Sequence, residues 1–283
     1  MIYLKIKTQN WKLTSHVKNL TFEIFHYCEK LPTSVNVHYH DFYEIYFLLG
    51  GNVTFRVEGK TYKLKSGDLL LISPYEMHQT NIVAGEVYER LVLWIDKNYF
   101  DQLCEKGVNL KTCFESKADN RIHPDVKSGM LLRELMERLN EEYYSDNEFG
   151  KSLYLEGLLY QTLVEVNRLS LKSHESQKQE KPDLISDIMS FINQNYNHQI
   201  TLEMLEKRFF VSKYYLSHEF TKQNGVSIYK YITLKRLLTA REMMTEGKSP
   251  GDIYKLCGFG DYTTFFRAFK AEYGISPKEF MNT

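Results

Sequence analysis

Four side chains in the first third of the chain are of types that bind metals or hydroxyl-rich ligands. His38, His40 and Glu44 stand in one short run, and His78 follows Pro74 downstream. Three imidazoles and a carboxylate suit zinc, iron or nickel. The same groups can hydrogen-bond an organic effector such as a sugar, or serve as ordinary packing residues of a sheet. Every second side chain of a strand shares a face, so one regular strand from Val37 to Tyr46 would project His38, His40, Phe42, Glu44 and Tyr46 together. Tyr46, Arg90 and Trp94 complete the candidate pocket, because stacking and bidentate groups suit sugars.

A second functional set lies near the C-terminus. Ile253 to Lys270 reads as a short helix, a turn at Gly258 and a second helix. Ser249 and Pro250 suit the N-cap and first turn of the first helix, with Asp252 adding acid at its positive end. Asp261 is placed to cap the second helix. There Phe265, Phe266 and Phe269 cluster at helical spacing while Arg267 and Lys270 point outward. A helix-turn-helix with a cationic second helix is the geometry that enters a major groove, with Tyr262, Thr263, Arg267 and Lys270 as the candidate contacts.

These residues also carry a family resemblance. The Gly258-Phe259 turn, Asp261, Phe265-x-x-x-Phe269-Lys270 and the following Gly274-Ile275-Ser276-Pro277 resemble the second helix-turn-helix of AraC/XylS-type transcription regulators. Upstream, a helix from Thr201 and another capped by Ser212, through Tyr215, Leu216 and Phe220 to Gly225, resemble the first motif. Lys213, Tyr214, Ser217, His218, Thr221 and Lys222 lie on the outer face of that second helix as candidate groove contacts, although His218 and Thr221 depart from the basic residues common there. Glu206 and Tyr254 stand where the family has a small alanine, which predicts looser packing or shifted helices. The run His38, His40, Glu44 and then Gly67, Pro74, His78 resembles the two cupin motifs. It departs in the placing of the first motif's closing glycine and in having none between Pro74 and His78. Such regulators often carry a cupin sensor domain, so the resemblance spans nearly the whole chain.

The surrounding sequence must position these groups. From Val35 to Ile95, short aromatic and branched runs alternate with Gly turns at Gly50-Gly51, Glu58-Gly59-Lys60 and Ser66-Gly67-Asp68, which predicts a small antiparallel barrel or jelly roll. Tyr99, Phe100 and Leu103 mark a short helix. Two longer ones follow, Asp125 to Tyr144 with Leu132, Leu135 and Leu139 on one face, and Glu148 to Leu169 with Leu155, Leu158, Leu159, Leu163 and Val166. The resemblance implies that this pair packs on the barrel and against its copy in a homodimer; the periodicity alone fits a cover for the barrel equally well. Leu171 to Pro182 has almost no apolar residue and reads as a linker. After it, Asp183 caps a helix bearing Ile185, Ile188, Met189, Ile192 and Tyr196. Ser227 to Thr245 is an uninterrupted helical pattern spanning about 28 Å, enough to hold two recognition helices near the ~34 Å repeat of successive major grooves. Arg236 and Arg241 on it are placed for phosphates or for salt bridges.

Composition sets the outer bounds. The 283 residues, 43% hydrophobic and 14% aromatic, suffice for two domains with cores. No run approaches the ~18 apolar residues of a membrane span, Met1 to Lys12 has no signal-peptide core, and Cys28, Cys104, Cys113 and Cys257 form no C-x-x-C pair. A cytoplasmic chain with unpaired thiols is expected. The formal net charge is zero, but residues 181–283 hold 14 basic against 11 acidic groups. So small a surplus makes affinity for DNA depend on well-placed contacts.

The expectation is an α+β protein of two domains. Residues 1–170 form a cupin-like antiparallel β-barrel with helices that binds effector and dimerises, 171–182 a linker, and 183–283 an all-α, seven-helix domain with two helix-turn-helix motifs. The function expected is a sequence-specific transcriptional regulator, read as an activator controlled by a sugar-like effector. It would bind double-stranded DNA as a homodimer, touch RNA polymerase if an activator, need no cofactor and meet no membrane. His38, His40, Glu44, Tyr46, His78, Arg90 and Trp94 are the effector residues, with His38, His40, Glu44 and His78 as the metal alternative. The rival from another class is a metal-dependent cupin enzyme with a helical appendage, which leaves the double motif without a purpose. A helical module binding only protein would have to explain the outward Lys213, Lys222, Arg267 and Lys270.

Overall fold

The computed structural model describes residues 21–29, 35–82, 87–105, 107–115, 119–176 and 184–282. The cap at Asp183, read from the sequence, falls outside them. The chain forms two compact units, one built mainly from residues up to 178 and the other mainly from 179 onward.

The first unit is made of strands covered by helices. β1 (Phe22–Glu29), β3 (Tyr43–Gly50), β6 (Leu69–Ile72), β8 (Tyr88–Ile95) and β9 (Arg121–Ile122) form a five-stranded sheet in the order β1-β8-β3-β6-β9. β2 (Val35–His38), β4 (Val53–Val57), β5 (Lys60–Leu64) and β7 (His78–Ile82) form a second sheet in the order β2-β7-β4-β5. Of the barrel and jelly-roll forms expected, the strands thus take the two-sheet one. The β4–β5 turn has both central residues at positive φ, Glu58 at 46° and Gly59 at 82°. That is the backbone of a two-residue hairpin turn, whose twist matches its strands.

Antiparallel register ties the central strands together: Tyr27 opposes Arg90, Glu23 and Glu44 both oppose Trp94, and Tyr46 opposes Val92. The pleat then sorts each strand by parity. Phe22, Ile24, Ile45, Phe47, Leu91, Leu93 and Ile95 lie on one face, in a single core with helix residues. Those helices are α1 (Lys97–Cys104), α2 (Thr112–Glu115), α3 (Val126–Tyr143) and α4 (Lys151–Ser176). Glu44, Tyr46, Arg90, Val92 and Trp94 alternate with the core set and take the opposite face. α3 starts at Asp125, whose side chain accepts from the Ser128 amide at 3.0 Å.

One expectation changes here and one open alternative closes. α4 runs on through Ser176, so the linker read from Leu171 starts later; residues 177–182 fall outside the described set. Leu135 and Leu139, whose face fitted either a partner copy or a cover for the barrel, are 5% and 0% exposed in the core beneath the sheet. The helix buries its leucine stripe against its own strands because that is the nearest apolar surface.

Among the described residues the second unit holds seven helices: α5 (Leu184–Asn195), α6 (Leu202–Phe209), α7 (Lys213–Asn224), α8 (Ile228–Thr245), α9 (Pro250–Leu256), α10 (Tyr262–Tyr273) and α11 (Pro277–Met281). The caps read from sequence form. Thr201, Ser212, Ser249 and Asp261 accept from Met204, Tyr215, Gly251 and Thr264 amides at 3.2, 3.3, 3.2 and 2.7 Å. The Thr264 amide and hydroxyl hold the Asp261 carboxyl below the usual carboxylate range. That cap therefore stabilises α10 above the unfolded carboxylate's pKa and weakens as pH falls through the lower folded value. Leu237, Ala240 and Met244 of α8 close a core with Ile253, Cys257, Phe259, Phe265 and Phe269.

Gly258 in the second turn has φ +85°, and a Cβ there would meet the Asn197 and Tyr196 carbonyl oxygens at 2.7 and 2.8 Å. Both the backbone and the space demand glycine. Gly258→Ala is expected to destabilise this unit by more than about 1 kcal/mol, read as a lowered urea midpoint. Leu139→Ala should cost about 2–5 kcal/mol and Leu139→Glu should unfold the first unit, whereas Leu153→Glu, at a 77% exposed position, should leave it folded.

Candidate ligand site and nucleic-acid interface

The run from Val37 to Tyr46 is not one strand. β2 ends at His38, Asp41 and Phe42 bend, and β3 begins at Tyr43, so His38 and Glu44 sit on strands of different sheets. The break does the work that strand parity was expected to do. It brings donor atoms of His40, Glu44 and His78, all buried, within 4.8 Å of one another. His38 is outside that triplet, its ring centroid 6.4 Å from that of His40.

His40 is held on three sides. Its ring stacks on Phe42 with centroids 3.9 Å apart and planes 1° from parallel. Its Nδ1 lies 2.9 Å from the Phe42 carbonyl, which can only accept, so Nδ1 carries the proton. Nε2 lies 3.0 Å from Glu44 Oε2, an oxygen that also accepts from Trp94 Nε1–H at 2.9 Å. Three species satisfy that contact: a doubly protonated His40 paired with the carboxylate, a neutral His40 accepting from a protonated Glu44 carboxyl, or a cation shared by Nε2 and Oε2. The donors fit a divalent transition metal, since cis ligands at bonds of about 2.1 Å lie roughly 3.0 Å apart and a ligating imidazole usually donates its other N–H to a carbonyl or carboxylate.

The remaining effector candidates form a second cluster on the same face. The Tyr46 and Tyr88 hydroxyls are 2.7 Å apart. Burial raises both phenols, Tyr88 to about 12, so they stay protonated donors. The Arg90 guanidinium lies between the Tyr27 and Tyr88 rings, 4.3 and 4.1 Å from their centroids. Trp94 joins the clusters, with Phe25 and Phe42 each 4.8 Å away. Sequence reading missed Phe25, Tyr27 and Tyr88. For Phe25 and Tyr27 the signal was the aromatic alternation of the first strand, and its meaning required the Tyr27–Arg90 register.

In the helical unit the candidate DNA contacts lie on two outer faces. On α7, Tyr214, His218, Thr221 and Lys222 are exposed while Lys213 and Ser217 are half-buried; on α10, Tyr262, Thr263, Arg267 and Lys270 are all exposed. Lys213 pairs with Glu203 at 3.2 Å and Lys222 with Glu219 at 3.5 Å, whereas Arg267 and Lys270 have no ion pair among the described residues. α8, about 27 Å long, separates the two motifs. Arg236 is not available to phosphate: it donates to the Tyr196 and His198 carbonyls at 2.8 Å each.

The bulky residues at the inter-helix contacts have structural uses. Glu206 accepts from the Lys213 amide at 3.1 Å, satisfying an otherwise unpaired donor at the start of α7. Tyr254 packs edge-on against Tyr262 at the start of α10, 5.9 Å between centroids.

A sheet-built unit with a buried polar site and a helical unit with two helix-turn-helices define a DNA-binding regulator with its own ligand-binding domain. A family model for an AraC-like ligand-binding domain matches residues 22–163, and one for a helix-turn-helix domain matches 205–283. The chain belongs to the AraC family of transcriptional regulators; its domains and relatives are those of a regulator and not of an enzyme. It is 26% identical to YbfI of Bacillus subtilis, an uncharacterised helix-turn-helix regulator, over 90% of this chain and 88% of that one. It is 23% identical to the transcriptional activator RhaS of Escherichia coli, over 86% of each. A crystal structure of fatty-acid-bound ToxT from Vibrio cholerae aligns over 94% of this chain and 97% of that one, at 15% identity and a TM-score of 0.40. That likeness is too loose to speak to the ligand here. Among the described residues, no helix is long and apolar enough to cross a membrane.

Glu44→Ala takes the acceptor from the buried Trp94 indole, so it should cost about 1–3 kcal/mol of stability. Glu44→Gln keeps an oxygen there and should cost less. Urea melts followed by tryptophan fluorescence separate the two.

Proposed function

We propose that this protein is a cytoplasmic, effector-controlled activator whose ligand is a sugar-like polyol bound at His40, Glu44, His78, Tyr46, Arg90 and Trp94. One observation carries the ligand reading: a buried cluster of hydrogen-bonding side chains, with flat aromatic surfaces beside it, lies inside the segment matched to a ligand-binding domain. Hydroxyls meet donors and acceptors there, and sugar rings stack on indole and phenol faces. His38, expected from the sequence to join these six, is assigned to the rim. Effector binding shifts a population between conformers that differ in DNA contact or dimer geometry. An activator of this kind touches RNA polymerase beside its operator.

The groove contacts are assigned to the exposed faces of α7 and α10, with Arg267 as the base-reading side chain because no ion pair competes for it. Arg267→Ala should weaken specific binding by about 1–3 kcal/mol and relax preference at one base, measured by fluorescence anisotropy on operator and scrambled duplexes. Equal weakening on both would make it a phosphate contact. His40→Ala should abolish the response to effector in a reporter assay while the purified chain still binds operator. Loss of operator binding itself would remove the sensor role from His40.

The dimer is assigned to the exposed side of α3 and α4, where Met130, Leu131, Leu153 and Tyr154 are 68, 44, 77 and 46% exposed. Leu153→Glu should give a folded monomer in analytical ultracentrifugation; an unchanged dimer would place the interface elsewhere.

A second reading rests on the facing Nε2 and Oε2 of His40 and Glu44. His40, Glu44 and His78 would hold a transition metal, which would polarise a ligand hydroxyl as a Lewis acid. Elemental analysis of untagged protein decides. Near one equivalent of metal, lost on chelation together with the effector response, favours this reading over direct hydrogen bonding.

A further inference from the structure

Among the described residues, Nη1 of Arg90 is a buried donor of the sensor face that its neighbours leave without a hydrogen bond. The guanidinium carbon lies over two tyrosine rings, 4.3 Å from the centroid of Tyr27 and 4.1 Å from that of Tyr88, which restrains the group. Glu29 Oε2 stands 3.7 Å from Nη1, close enough to attract but beyond hydrogen-bond reach. The Tyr46 and Tyr88 hydroxyls share one hydrogen bond at 2.7 Å, in which one donates and the other accepts.

A buried, unpaired donor on a permanent cation is uncommon in native proteins, and where one occurs an ion or a ligand group often completes it. A neutral hydroxyl would satisfy one N–H but add nothing to the charge pairing that Glu29 supplies at 3.7 Å. A planar guanidinium edge matches a carboxylate or phosphate, which accepts two parallel N–H bonds. The side chain as a whole is 14% exposed, whereas Nη1 itself is buried.

Placement links Arg90 to the rest of the pocket. Arg90 and Trp94 lie on one face of β8, four residues and about 13 Å of strand apart. Glu44 and Arg90 are both near enough to act electrostatically on Tyr27, Tyr46 and Tyr88. The site therefore has two unlike ends, a His40–Glu44–His78 end suited to hydroxyls and an Arg90 end suited to negative charge.

We propose that Arg90 binds an oxyanion of the effector, which makes the ligand an acidic polyol, such as a sugar acid or sugar phosphate, and not a neutral sugar. This rests on the reading of the sheet face as the effector site, and it names the ligand class that reading leaves open. The tyrosine rings restrain the guanidinium, and Glu29 is the carboxylate that the ligand displaces from its attraction.

The test follows the Arg90 Nε–Hε signal in nitrogen-15 spectra of the full chain during titration with potassium gluconate, potassium phosphate or potassium chloride at matched ionic strength. The signal is identified by its absence from Arg90→Lys, or through bonds from the Arg90 amide if that variant does not fold. The expected result is a saturable shift with gluconate, phosphate or both, and none with chloride; which of the two acts separates a carboxylate from a phosphate ligand. Glu29→Gln should then tighten oxyanion binding by roughly threefold, the scale of removing one partly exposed competing charge. No saturable shift with either oxyanion, or the same shift with chloride, overturns the proposal, as does an unchanged or weaker affinity in Glu29→Gln. Operator binding by the same samples is read by anisotropy. Its absence would sink the regulator reading while leaving the Arg90 result standing.

Discussion

The pleat of β8 is the constraint from which the sensor unit follows. Leu91, Leu93 and Ile95 bury against α1, α3 and α4, and the residues between them are thereby committed to the other face. A one-residue slip would drive Arg90 and Trp94 into the leucine core and expose Leu91 and Leu93. Burying each of those side chains is worth about 1.5–3 kcal/mol, so the register is held by the apolar face and the polar face inherits it. Polar residues that would be costly to place by themselves are positioned by the packing of their neighbours.

The helical unit has a comparable fixed point at the end of α5. The Tyr196 and Asn197 carbonyls lie against Gly258, and the Tyr196 and His198 carbonyls accept from Arg236. A helix C-terminus leaves such oxygens without intrahelical partners. Here α8 supplies a guanidinium, and the turn of the second motif comes so close that only hydrogen fits on its α-carbon. The turn of the first motif is built differently. Its left-handed position is filled by Phe210, at φ 54° and 92% exposed. The two motifs share a plan but differ in how tightly their turns are seated.

Electrostatics on the recognition faces follow the same division. Lys213 and Lys222 of α7 are engaged by Glu203 and Glu219, which dilutes their attraction for phosphate. Arg267 and Lys270 of α10 are exposed. With 14 basic against 11 acidic residues in this part of the chain, binding must rest on a few cations well aimed rather than on a broad field.

What the sequence determined by itself was local. The turn at Gly258, the caps at Thr201, Ser212, Ser249 and Asp261, the helix between the motifs and the Gly-punctuated strands all arise from neighbours a few residues apart. Those interactions act before any tertiary contact exists. The family was legible for the same reason, because its motifs are short. Tertiary structure decided whatever joins distant segments. His40, Glu44 and His78 meet through a break in the chain that parity could not foresee. Arg90 lies between tyrosines because β1 pairs with β8 in one register. Leu135 and Leu139 turn to their own sheet, although their periodicity fitted a partner copy equally well. A stripe of leucines states only that a face must be buried; which surface buries it depends on what the rest of the chain brings within reach.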